Sequence, residues 1–273
     1  MSAANLTILN RGLSDGDLRQ RFAEPARTQI TDINLANNAL TSEAVAIIVD
    51  SPKTEGITWL NLSRNGIGDE GLGLLARSTR LTTIKRLLLA QVGATGDGVR
   101  VLAASPHFGT LQTLSLAYQA VGDVGAEALA AMGGVEQVNL TQAAITGAGA
   151  QALVARGHFA SLDLSDNPLG QGALVGLTEL SPHLRTLSLS QTGIGAKDFA
   201  ALAAATAPAL LSLDVNNNKI DDAGVLALAS ATWLGQLETL VVSGYFASTS
   251  ARRELIAAWG ERPGLTVERR DLD

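Results

Sequence analysis

Chemistry at neutral pH needs activated nucleophiles, histidines or phosphate-cradling glycines, and this chain of 273 residues offers few groupings of them. It has no cysteine, which removes thiolate catalysis, disulfides and Cys-based zinc or iron–sulfur sites. The three histidines are His107, His158 and His183, each in a stretch that reads as the turn before a strand. His158 and His183 stand at the same distance before Leu162 and Leu187, a shared register that sets them within ~5 Å on adjacent strands. Two imidazoles with no carboxylate in the same register make a poor metal site, so both are read as lining turns. The run Gly66-Ile67-Gly68-Asp69-Glu70-Gly71 has the spacing of a dinucleotide fingerprint. Asp69 and Glu70 would repel a phosphate there, and the run recurs in degenerate form elsewhere, so it reads as a structural turn. No nucleophile, base and orienting group fall together. The expectation is therefore no catalytic residue, no metal, no cofactor and no enzyme.

Composition narrows the classes further. The chain is 46% hydrophobic but 4% aromatic, so its core must be built from Leu, Ala, Val and Ile. A net charge of −6 and a pI near 5.1 argue against nucleic acid or an anionic membrane as primary partner. No apolar run approaches the roughly 18 residues of a membrane helix. The N-terminal stretch has neither a basic region nor a long apolar one, which gives the expectation of a soluble, cytoplasmic protein. A monomer is favoured, with the oligomeric state left open. Sixteen Arg against four Lys, with abundant Ala and Gly, suggest a GC-rich bacterial genome. Asn-x-Ser/Thr triplets at Asn5, Asn61 and Asn139 lie on expected strands and are not expected to carry glycans.

What positions these residues is a repeat. Leu60-Asn61-Leu62-Ser63-Arg64-Asn65-Gly66-Ile67 returns as Leu162-Asp163-Leu164-Ser165-Asp166-Asn167-Pro168-Leu169. It returns again as Leu213-Asp214-Val215-Asn216-Asn217-Asn218-Lys219-Ile220 and as Ile33-Asn34-Leu35-Ala36-Asn37-Asn38-Ala39-Leu40. Weaker copies start at Leu6, Leu87, Leu114, Val138, Leu187 and Leu240. The position aligned with Asn65 falls at 11, 38, 65, 92, 119, 143, 167, 192, 218 and 245, with spacings of 24 to 27. In each copy a short strand turns Leu60 and Leu62 to one face, with Trp59, Asn61 and Ser63 on the other. A Gly/Asp turn such as Gly68-Asp69 or Gly122-Asp123 follows, then a helix with apolar residues three and four apart (Leu72, Leu75, Ala76). Strands stack at ~4.8 Å and helices at ~8–10 Å, a mismatch that curves the stack with strands on the concave side. Asn38, Asn65, Asn167 and Asn218 are read as structural, bonding backbone groups that the bend leaves unpaired. Gln119 and Thr192 substitute in part; Arg11, Val92, Ala143 and Tyr245 do not.

This pattern resembles the leucine-rich repeat in its long ribonuclease-inhibitor-like form, over about residues 6 to 245. The runs Gly125-Ala126-Glu127-Ala128-Leu129-Ala130 and Gly149-Ala150-Gln151-Ala152-Leu153 are similar to the bacterial GALA-type subclass. The F-box that precedes such repeats in the GALA effectors is not visible, because residues 5 to 23 already read as a repeat. The resemblance implies an α/β solenoid, a curved horseshoe of about ten repeats forming one domain over 1–273. Its parts are a capping repeat (1–29, with Arg11 in the Asn slot), central repeats (30–246) and a C-terminal cap (247–273). In that cap Ser250 to Gly260 reads as a helix, Gly264 to Val267 as a last strand, and Trp233, Tyr245, Phe246 and Trp259 as cap packing.

The resemblance also implies a non-catalytic bacterial scaffold or regulator that binds a protein partner on the concave face. The alternatives are an effector acting on a host protein, delivered by secretion, or a GTPase-activating-type regulator with Arg64 as its candidate arginine. On that face most residues are small and polar, and the exceptions cluster. Trp59, Arg64, Arg86, Leu88 and Tyr118 fall on three consecutive repeats, and Trp, Tyr and Arg are the types that dominate binding hot spots. Asp163, Asp166 and Asp214 make the later strands acidic, so the face is expected to orient an elongated partner. The competing reading of this cluster is that Trp59 merely stacks on Arg86 in the free protein, with no partner involved.

Overall fold

The computed structural model describes residues 3–9, 11–24, 29–243 and 247–268. Contacts divide the chain into two compact units, Met1–Ala143 and Ala144–Asp273. The first alternates β1 (Ala3–Thr7), α1 (Asp15–Ala23), β2 (Gln29–Asn34), α2 (Ser42–Asp50), β3 (Trp59–Asn61), α3 (Gly68–Arg77), β4 (Arg86–Leu88), α4 (Gly96–Ala103), β5 (Thr113–Ser115), α5 (Gly122–Ala130) and β6 (Gln137–Asn139). The second runs through α6 (Gly147–Arg156), β7 (Ser161–Asp163), β8 (Thr186–Ser188), α7 (Ala196–Ala204), β9 (Ser212–Asp214), α8 (Asp222–Ala229), β10 (Thr239–Ser243), α9 (Thr249–Trp259) and β11 (Leu265–Glu268). Within each unit the strands pair in chain order and all in parallel, as an open solenoid sheet.

The repeat sets the register. Ile33, Leu60, Leu87 and Leu114 stand side by side across β2 to β5, each with no exposed surface. A second inward column, Leu35, Leu62, Leu89 and Leu116, is also fully buried. Helix residues Val45 and Ile48, Leu72 and Leu75, Val99 and Leu102 close on them from the other side. Each such side chain contributes ~1.5–3 kcal/mol by leaving water. With the helices closing on that one face, the other face of the strands stays open to solvent.

Side-chain amides take over where the strands end. Asn65 accepts the N–H groups of Asn38 and Leu40 at 3.2 and 3.1 Å. It donates to the carbonyls of Leu35 and Leu62 at 3.0 and 2.8 Å. Gln119 does the same for Val92, Ala94 and Leu89, and Asn218 for Thr192, Gly193, Leu189 and Val215. The structural reading of the Asn slot is thereby met. Just before the slot, Asn37, Arg64, Gln91, Tyr118 and Gln142 in the first unit take left-handed backbone angles, φ 50 to 60°. Asp166, Gln191 and Asn217 do so in the second, at φ 53 to 60°.

The turns at Gly68-Asp69 and Gly122-Asp123 open helices α3 and α5 directly. The helices are then clasped to one another: Asp15 takes both the N–H and hydroxyl of Thr41 at 3.0 and 2.7 Å, and Asp69 repeats this with Thr95 at 2.7 Å for both. One expectation fails. The repeat after β7 has no helix; residues 171–176 form turns, with Gly170, Gly172 and Gly176 at φ 76, 86 and 91°. Three glycines within seven residues favour this left-handed path over a helix. In place of a helix, Asp198 of α7 holds the segment, its fully buried carboxylate accepting N–H bonds from Gly172, Leu174 and Gly195 at 2.8, 2.8 and 2.9 Å.

A helix and a last strand stand where the sequence predicts them: α9 packs against α8, and β11 pairs with β10 in parallel. Trp233 and Trp259 are buried and bonded through their indole N–H groups to Ala205 and Arg262 carbonyls. Tyr245 and Phe246 lie outside the described residues. Among the described residues no helix is long and apolar enough to cross a membrane.

Candidate functional site: the solvent face of the strands

In the first unit the register sets Asp32, Trp59, Arg86 and Thr113 side by side on β2 to β5. The Arg86 guanidinium lies 5.0 Å from the centroid of the Trp59 ring, the stack that the competing reading of the cluster requires. Trp59 is half-buried and Arg86 exposed. Two residues along β4, half-buried Leu88 stands between Asn61 and Ser115.

Arg64 and Tyr118 are not part of that contact. They occupy equivalent left-handed positions, two repeats apart with Gln91 between them, so about 10 Å separates their backbones. Their N–H groups are committed to Ala90 and Thr141 carbonyls at 2.8 Å, and both side chains swing out, with Tyr118 53% exposed. For a tyrosine this conformation is strained. Recurrence at eight positions makes the strain a property of the repeat, and its effect is to present whatever side chain occupies the slot. The cluster therefore consists of a contacting pair, an apolar neighbour and two projecting rim residues.

The acidic group divides differently. Asp163 and Asp214 flank Ser188 in register, and each turns one carboxylate oxygen back to the N–H two residues on, Ser165 and Asn216, at 2.9 Å. Asn61 and Asn139 make the same bond to Ser63 and Thr141 at 3.0 and 2.9 Å. An Asx turn at the strand end thus explains the residue type. Leu88 has no such acceptor, and the Ala90 N–H is met instead by the Ser63 hydroxyl at 3.2 Å. Asp166 alone of the three is exposed, in the projecting slot.

The rings of His158 and His183 stack at 5.4 Å between centroids, as their register required. Among the described residues no three His, Asp or Glu side chains gather as a metal site. Sequence reasoning missed Asp198, since a single aspartate three residues into a helix carries no sign of the loop it will hold.

A family model described as Leucine Rich repeat matches residues 57–76, 110–130, 180–203 and 208–229. No curated protein matches the sequence. Among solved structures the chain is similar to an internalin (inlF) from Listeria monocytogenes str. 4b F2365, at 18% identity and a TM-score of 0.59, over 88% of this chain and 62% of that one. It is similar to a chain of the mouse RP105/MD-1 complex, at 18% identity and a TM-score of 0.52, over 90% of this chain and 43% of that one. A chain of the yeast Rad7 and Elc1 complex aligns at 17% identity and a TM-score of 0.50, over 97% and 73%. Such likeness is one of fold.

Proposed function

The chain is a leucine-rich repeat protein, and from that premise we propose that it is a non-catalytic recognition module whose contact surface is the solvent face of its strands. The observation that carries this reading is the grouping of Trp59, Arg86 and Leu88 on β3 and β4, with Arg64 and Tyr118 projecting just after β3 and β5, among residues that are mostly small and polar. Partner contact would cover Trp59, Leu88 and Tyr118, and would set Arg64 and Arg86 against partner carboxylates. Two of the solved relatives are complexes with protein partners, Elc1 and MD-1, which supports a protein rather than a small molecule as ligand. Asp163, Asp166 and Asp214 form a secondary contact region in this proposal.

The same reading makes the chain a scaffold or regulator of a bacterial cytoplasm, supported by its Arg-rich, Lys-poor composition. The ribonuclease-inhibitor-like, GALA-type subclass is supported by the small-residue helices α5 and α6. The division into a capping repeat (1–29), central repeats (30–246) and a C-terminal cap (247–273) belongs to the same proposal.

The test is affinity capture from lysate of the source organism with wild type and a Trp59→Ala, Arg86→Ala, Tyr118→Ala triple variant, after their melts agree by circular dichroism. A partner held by wild type and lost by the variant is the expected result. A partner held equally by both would refute the cluster as the contact surface.

A further inference from the structure

The three indoles of the chain are not alike. Trp233 donates its N–H to the Ala205 carbonyl at 3.2 Å and Trp259 to Arg262 at 3.0 Å. The Nε1 atom of Trp59 is shut off from solvent and has no hydrogen-bond partner, although the residue as a whole is only half-buried. Buried donors are nearly always paired, because an unmade bond leaves the loss of water uncompensated. This orphan sits on the face where a partner is expected, on a ring whose centroid lies 5.0 Å from the Arg86 guanidinium.

Arg86 is exposed, and among the described residues neither it nor Arg64 is in an ion pair; the three pairs there are Arg19–Glu43, Arg80–Glu55 and Arg100–Asp97. A guanidinium stacked on an aromatic face keeps its N–H fork pointing sideways, available to a planar two-oxygen acceptor. On the other side of Trp59 stands Asp32, whose carboxylate accepts from the hydroxyls of Thr31 and Thr58 at 3.3 and 3.2 Å. That fixed negative charge one strand away disfavours a dianion such as phosphate and leaves room for a single charge.

We propose that Arg86 is a displaceable lid on Trp59, and that the two together take one side-chain carboxylate from an acidic segment of the protein partner. The inference rests on the strand-face reading above and names the chemistry it recognises. One carboxylate oxygen draws the guanidinium off the ring, and the other accepts the indole N–H that this movement uncovers. An amide would bring its own N–H groups against two sets of donors, so glutamine and asparagine are rejected. Leu88, two residues along β4, supplies an apolar wall that strengthens the charged bonds by excluding water.

The test uses the full chain labelled with ¹⁵N, whose three indole N–H signals are assigned by Trp59→Phe. The Trp59 signal should stand upfield of the two bonded indoles. A capped peptide of alternating glutamate and serine should move it downfield and leave Trp233 and Trp259 in place, while the glutamine counterpart should do nothing. Trp59→Phe keeps the ring under Arg86 and removes only the donor, and should weaken the acidic peptide about tenfold. Arg86→Gln should abolish its binding. A stationary Trp59 signal at saturating acidic peptide, an equal response to the glutamine peptide, or undiminished binding by Trp59→Phe would each overturn the proposal. A response to a neutral peptide with a free C-terminus, in place of the acidic one, would overturn the side-chain source. If the acidic peptide fails while the triple variant still loses the captured protein, only the carboxylate inference falls. If capture survives the triple variant, the strand-face reading falls with it.

Discussion

The Asp198 carboxylate accepts the backbone N–H of Leu174 at 2.8 Å, bracing from the next repeat a segment that has no helix of its own. With Gly172 and Gly195 it meets three donors, of which Leu174 and Gly195 are buried and Gly172 half-buried. Asp198→Ala should cost about 3–5 kcal/mol in urea unfolding, and Asp198→Asn about half as much. Amide exchange at Leu174 should rise in both. Unchanged protection there would mean that the turns hold themselves.

Asn65 makes five backbone bonds that span two repeats. Asn65→Ala should lower stability by about 2–4 kcal/mol, because two N–H groups and three carbonyls lose their partner together. Thermal melts of this variant and wild type decide it; a loss below about 0.5 kcal/mol would show that the strand ends pair without help.

Tyr118 separates folding from recognition. Tyr118→Gly relieves the left-handed backbone and loses little packing, since the ring is 53% exposed. The added freedom of the unfolded chain offsets part of that relief. Stability should stay within about 1 kcal/mol of wild type while partner capture falls at least severalfold. A variant that binds normally would remove Tyr118 from the surface; one that fails to fold would contradict the strain argument.

Two exposed carboxylates give stability a pH dependence of known sign. Asp17 is held below the ordinary 3.8 by the Ser14 hydroxyl and N–H, and Asp222 by the backbone N–H and then the hydroxyl of Ser248. A depressed folded-state value means the unfolded chain binds protons first as pH falls. Their contribution is therefore complete above the ordinary aspartate range and disappears below it, as pH drops through the folded values. In the Asp222→Asn variant the midpoint should depend less steeply on pH between about 4 and 2 than in wild type. Parallel curves would show that the Ser248 contact carries no linkage.

Much of this architecture was legible because a repeat states its register many times over. The inward columns through Leu60 and Leu62, the Asn65 slot, the stacking of His158 on His183 and of Arg86 on Trp59 all follow from period and strand spacing. What escaped depends on single occurrences. The lost helix after β7 comes from three glycines and is held by one distant aspartate, and neither signal repeats. The acidic strands hold a second signal that the sequence did not separate from the first. Asp163 and Asp214 carry the charge of a contact residue but do the hydrogen bonding of an Asx turn, which asparagine performs elsewhere in the column. Whether a side chain is already occupied by its own backbone is decided at the strand end, where periodicity says nothing.

Asn65 is followed by Gly66, the dipeptide in which asparagine ages most readily, by attack of the next backbone nitrogen on the side-chain carbonyl and loss of ammonia. In the folded chain both reactants are held apart from that fate. The Gly66 nitrogen gives its hydrogen to Leu40 at 2.8 Å, and the Asn65 amide group is pinned between the carbonyls of Leu35 and Leu62. The succinimide needs both to let go at once, so the clock runs only during excursions that open two adjacent repeats. A chain that has spent its time unfolded returns with a carboxylate at this position, aimed at two carbonyl oxygens it repels. The bonds that shape the repeat also keep its chemical age, and molecules that have lost the fold for long enough lose the means to regain it.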